Sequence, residues 1–143
     1  MENEDTVLNY PDIIETVISS LDQHNKVLVS ASAEGHIWKF KYGSVDVFIQ
    51  LTGSSEEDSF TVWSPVLKLP VQNEAQLMRK LMELNWLSTF EAHFSLFNQQ
   101  VVTVTSRSVA DLSPGEISHL ITLVATIADD HDDELQADFP ATV

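Results

Sequence analysis

Apolar residues along this chain change their period four times. From Asn9 the pattern is helical: Ile14, Val17, Ile18 and Leu21 repeat at i, i+3, i+4 and i+7, and Pro11 stands early, where its missing N–H costs nothing. Between residues 27 and 67 the period falls to two. The short run Val27-Leu28-Val29 is a strand or the approach to one. Trp38, Phe40 and Tyr42 then alternate with Ile37, Lys39 and Lys41, and Val45, Val47, Ile49 and Leu51 alternate with Asp46, Phe48 and Gln50. Gly43-Ser44 between them suits a two-residue type II′ turn. A third strand runs from Phe60 to Leu67. The helical period returns at Asn73, with Gln76 as a capping-box variant and a stripe of Leu77, Leu81 and Leu84 widened by Met78 and Met82. Two more strands, Ala92 to Phe97 and Val101 to Thr105, meet at Asn98-Gln99-Gln100. Ser113-Pro114-Gly115-Glu116 then opens a helix whose stripe is Ile117, Leu120, Ile121, Val124, Ile127 and Ala128. The order α-β-β-β-α-β-β-α, with hairpins between neighbouring strands, predicts an antiparallel sheet covered by helices, an α+β sandwich.

Register follows from the same pattern. Tyr42 must face Val45 across the turn, which sets Phe40 opposite Val47 and Trp38 opposite Ile49 on the core face. Lys41 then meets Asp46 and Lys39 meets Phe48 on the other face. Keeping Ile49 and Leu51 inward with Phe60 and Val62 puts Phe48 beside Trp63 on that outer face. Two large aromatics beside a lysine offer area, rigidity and a cation, so Phe48, Trp63 and Lys39 are the expected partner-binding residues.

Composition narrows the function. The 143 residues are 43% hydrophobic, enough for one folded domain, expected over 9–136 between an acidic flexible start (1–8) and a flexible tail (137–143). Twenty-two acids against seven bases give a net charge of −15, which argues against nucleic acid and anionic membrane as partners. The absence of cysteine excludes disulfides, thiol catalysis and cysteine-held metals. The start MENEDTV is acidic where a signal peptide is basic, and no apolar run approaches about 18 residues. A cytoplasmic protein is expected.

The densest candidate chemistry is IADDHDDEL, residues 127–135. Continuing the helix stripe gives His131 and Leu135, whereas Asp129, Asp130, Asp132 and Asp133 flank it and mostly face water. Only His131 and Glu134 share a face, too few ligands for a metal, and the spacing of a calcium loop is absent. The stretch reads as a solvated helix end. His24, His36, His93 and His119 lie on separate elements without metal-binding spacing. No serine-nucleophile elbow and no phosphate-cradling glycine loop occurs. Neither catalytic residue, metal nor cofactor is expected.

Three stretches carry a family resemblance: VWSPVLKLP, LMELNWLSTFEAHFSL and DLSPGEISHLITLVATIADDHDDEL. The element order resembles that of class I type III secretion chaperones, and the text resembles the YbjN domain family, which shares that fold. Asn85 and the pair Ala128-Asp129 are the most family-like positions. The resemblance implies a non-enzymatic chaperone or adaptor that binds a protein or peptide. Cyanobacterial members are similar to assembly chaperones for carboxysome shell proteins. It also implies a homodimer paired through the second helix and the segment after it, at Leu77, Leu81, Trp86 and Phe90. The alternatives are a regulatory subunit in signalling or a metal-dependent enzyme using the C-terminal acids.

Overall fold

The computed structural model describes residues 8–22, 28–32 (backbone only), 35–87 and 90–142; His24 and the acidic start 1–7 lie outside the described residues. The elements are α1 (Tyr10–Leu21), β1 (Leu28–Ser32), β2 (Gly35–Tyr42), β3 (Val45–Leu51), β4 (Ser59–Lys68), α2 (Glu74–Leu87), β5 (His93–Phe97), β6 (Gln100–Ser108) and α3 (Pro114–Asp138). They form the expected α+β architecture, with β1 added at the sheet edge where the run from Val27 pointed. The sheet is antiparallel throughout, in the order β1-β2-β3-β4-β6-β5.

Helix starts follow their caps. The Asn9 side chain accepts from the Asp12 N–H at 3.1 Å, and Ser113 and Glu116 close a full capping box at α3. At α2 the expected box does not form. Asn73 sits at φ 61, not in the extended conformation of an N-cap.

The hairpin register is as expected from the pleat: Tyr42↔Val45, Phe40↔Val47, Trp38↔Ile49 and Lys39↔Phe48, then Phe48↔Trp63, Ile49↔Val62 and Leu51↔Phe60. Trp38, Phe40, Ile49, Phe60 and Val62 are buried, and form one core with Ile14 and Ile18 of α1, Leu77 and Leu81 of α2, and Ile121 and Val124 of α3. Each such side chain contributes roughly 1.5–3 kcal/mol on burial. Trp38 also donates from Nε1 to Glu15 of α1 at 3.1 Å.

All three helices therefore cover one face. α3 crosses β2, β3, β4 and β6, α1 packs against α3 and β2, and α2 lies over β5. No described helix covers the other face. At the C-terminal end the chain departs from the flexible tail expected after residue 136. α3 continues to Asp138, Phe139 is buried, and Val71 bridges Ala141 while Gln72 donates to the Pro140 carbonyl at 2.9 Å. The apolar Phe139 at the end of an acidic run holds the segment in place.

Candidate partner-binding surface

The uncovered face carries an aromatic row. Phe48 and Trp63 stack at 5.3 Å with planes 12° apart, and the Phe97 ring meets Trp63 edge-on at 6.2 Å. Both geometries are favourable for aromatic pairs. The Lys39 ammonium lies 5.8 Å from the centre of the Phe48 ring, at the outer limit of a cation–π contact. Phe48 and Trp63 are half-buried by their neighbours and Phe97 is 57% exposed. Cross-strand register brings the first two together. Phe97 escaped sequence reasoning because β6, which pairs with β4, separates its strand from Trp63, and that order is not legible from local pattern. Beside the row lies a shallow groove of about 290 Å³ floored by Val102, Val104 and Thr61.

The acidic stretch differs from the solvated helix end expected. His131 leans edge-on against Phe94 at 5.5 Å and donates from Nδ1 to the Ile127 carbonyl at 2.8 Å; Glu134 turns away to Lys80 at 3.8 Å. Asp132 is buried and Asp129 half-buried, because both reach the β2–β3 turn. Ser44 donates its backbone N–H to Asp129 Oδ1 at 3.0 Å, and its hydroxyl lies 2.7 Å from Asp132 Oδ2 and 3.1 Å from Asp129 Oδ1. A hydroxyl has one proton, so the shorter contact to Asp132 takes it. Among the described residues no three histidine or acidic side chains converge to hold a metal. The other described histidines serve separate contacts: His36 stacks on Trp38 at 5.4 Å, His119 meets Glu91 at 3.3 Å, and His93 is exposed.

Two half-buried carboxyls are held below their ordinary range by donors. Asp58 is lowered first by the Ser55 hydroxyl, then by the Ser55 N–H and the Thr52 hydroxyl. Glu116 is lowered by the Ser113 N–H and then by Arg107. Neither faces the aromatic row; both hold loops and caps.

A family model described as "Putative bacterial sensory transduction regulator" matches residues 10–137. The chain belongs to the YbjN family. No curated protein matches it. Among solved structures the YbjN chain is similar in fold to one titled "Crystal Structure of the ExsC-ExsE Complex", with a TM-score of 0.61 and 15% identity over 88% of this chain and 96% of that one. The positions that the resemblance singled out hold backbone in place. Asn85 of α2 accepts from the Phe94 N–H at 2.7 Å and donates to the Phe94 carbonyl at 3.2 Å, closing part of the open edge of β5. Ala128 packs without exposure beside Asp129, which holds the hairpin.

The end of α2 forms a second apolar surface of the YbjN domain. Trp86 is 86% and Phe90 83% exposed, with Leu87 and Met82 also in solvent. Leu77 and Leu81, expected at a dimer interface with them, are instead buried in the chain's own core. They lie at i and i+4 on the face toward the sheet, and Met82 and Trp86 lie at i and i+4 on another.

Proposed function

We propose that this YbjN protein is a non-enzymatic cytoplasmic adaptor or chaperone that holds a partner protein on the uncovered sheet face. One observation carries the reading: the row of Phe48, Trp63 and Phe97, with Lys39 beside it, stands on the face that no described helix covers. Monomeric surfaces seldom leave aromatics grouped in this way without a use. Family membership and a fold shared with a chain solved within a complex support the same direction. The finer reading, taken from the resemblance to cyanobacterial members, is help in assembling a larger structure such as a carboxysome shell. A regulatory subunit in signalling is the second reading, favoured by the family's description.

Capture from the native cytoplasm, read by mass spectrometry, tests the surface. Replacing Phe48 and Trp63 together by Ser removes anchors that at a binding hot spot are worth about 2 kcal/mol or more each. The double variant is expected to melt near wild type and to lose the proteins that wild type retains. An unfolded variant, or an unchanged captured set, refutes the site. The identity of the retained protein separates the readings: a structural subunit supports assembly, a signalling component supports regulation.

A further inference from the structure

β3 and β4 pair from Phe48↔Trp63 to Leu51↔Phe60 and no further, although β4 runs on beside β6 to Lys68. Pro65 accounts for the break, since it has no N–H to give a ladder, and the β4–β6 register shifts between Pro65 and Leu67. The Ser64 hydroxyl, donating to the Asp46 carbonyl at 2.6 Å, still ties the strands. The sheet opens there into a cleft of about 760 Å³. Phe48, Trp63 and Phe97 of the aromatic row line it together with Asp132 and Gln136, one turn apart on α3.

Asp132 is 3% exposed. Its Oδ2 accepts a hydrogen bond from the Ser44 hydroxyl, and among the described residues its buried Oδ1 has no hydrogen-bond partner. Among the described residues no ion pair reaches it: Lys80 holds Glu134 and Asp138, and Arg107 holds Glu116. Among the described residues Thr103 Oγ1 is the other buried side-chain polar atom without a partner, but it is a neutral hydroxyl. A buried carboxylate without a counter-charge is a far costlier arrangement, and such cost is concentrated where a ligand is to be met.

We infer that the cleft receives a basic side chain, arginine or lysine, of the polypeptide held on the aromatic row, with Asp132 as its counter-ion. The inference rests on the partner-binding reading and adds the chemistry of the partner. Asp46 lines the same cleft, and the chain's net charge of −15 draws cationic segments toward it. Lys68, also lining the cleft, is exposed and is not among the ion pairs of the described residues. A second copy of this chain is a poor donor, with seven bases against 22 acids. Gln136 lines the cleft one turn from Asp132 and its side-chain amide donates to the Val66 carbonyl at 3.2 Å, a single neutral bond that an ammonium or guanidinium entering toward Oδ1 displaces. The aliphatic arm of the basic residue lies along the stacked pair of Phe48 and Trp63, where its charge also gains from the rings.

A random twelve-residue peptide library panned on the folded protein tests this without knowledge of the partner. Wild type is expected to select peptides with a basic residue flanked by apolar ones. Asp132→Asn should still select apolar peptides but lose the basic enrichment, whereas Glu57→Gln, an equal change of charge on an exposed loop, should keep it. A selected arginine peptide and its citrulline twin, which keeps shape without charge, should differ about tenfold in Kd on wild type and not on Asp132→Asn. Equal selection by wild type and Asp132→Asn, or a citrulline twin that binds equally well, overturns the counter-ion while leaving the aromatic surface standing. No selection above the Phe48→Ser/Trp63→Ser background overturns both. Asp132→Asn is expected to melt at or above wild type, and a clear drop would show that the carboxylate is satisfied within the fold and sink the inference.

Discussion

Glu116 accepts from the Ser113 N–H and from Arg107, and Asp58 from Ser55 and Thr52, so each donor set favours the charged carboxylate. A carboxyl whose folded pKa is lowered stabilises the fold at pH above its unfolded value. That stabilisation is lost as the pH falls through the lower, folded value. For these two groups the window is acidic, from the ordinary carboxylate range of about 4 downward. Glu116→Gln keeps the capping box but not the charge facing Arg107. Its melting temperature is expected to lie below wild type at pH 7 by about one or two degrees, the size usual for exposed charges, and the gap should close toward pH 3. A gap that stays constant in differential scanning calorimetry across that range would show that the charge adds nothing. Asp132 differs in kind. The first two carboxylates have donors on both oxygens, and among the described residues the third is left with one oxygen unmet.

At the scale of elements, the β2–β3 turn and α3 fix one another. Gly43 takes a φ of 57, and a Cβ added there would run into the Asp129 carboxylate. Gly43→Ala is therefore expected to cost about 1–3 kcal/mol, from left-handed strain plus the clash. Asp129→Ala alone should cost about 1 kcal/mol by removing the acceptor of the Ser44 N–H. In urea titrations the double variant should lose less than the two together, because the clash goes with the carboxylate; strict additivity would mean that turn and helix do not touch. This junction also marks where sequence reasoning stopped. The strands, their register and the α3 cap were legible because each is written in local alternation or capping residues. The two positions Asp129 and Asp132 read as solvated because helical periodicity places a residue on a face but does not say what else reaches that face. Here the hairpin turn, 85 residues earlier, does. Leu77 and Leu81 failed the opposite way: an apolar stripe looks the same whether it meets the chain's own sheet or another copy. The cleft was illegible for a third reason. It depends on Pro65 interrupting a pair of strands whose adjacency is known only once the sheet is assembled.

For the whole molecule, a one-sided sheet leaves two apolar surfaces in different places, the aromatic row and the end of α2. The first suits a partner of different sequence, as argued from Asp132. The second suits a second copy, because Met82, Trp86, Leu87 and Phe90 come from one short stretch and need only self-complementarity across a two-fold axis. Trp86 and Phe90 from each copy would bury about 150–250 Å² per ring, a large share of the roughly 1,200–2,000 Å² of a stable interface. Opposing this, pairing brings together two chains that each carry a net charge of −15. Apolar association against like charge should strengthen with salt, as screening shortens the reach of the repulsion to about 8 Å near physiological ionic strength. Sedimentation equilibrium at tens of micromolar protein is therefore expected to show twice the 16.0 kDa chain mass, with dissociation favoured as salt is lowered. Trp86→Ser/Phe90→Ser should run as a monomer of unchanged fold and still select basic peptides, since its substitutions lie away from the cleft. A wild-type protein that sediments as a monomer at every salt concentration would leave the end of α2 without this role, and a dimer that strengthens as salt is removed would mean that charges, not the exposed rings, hold it.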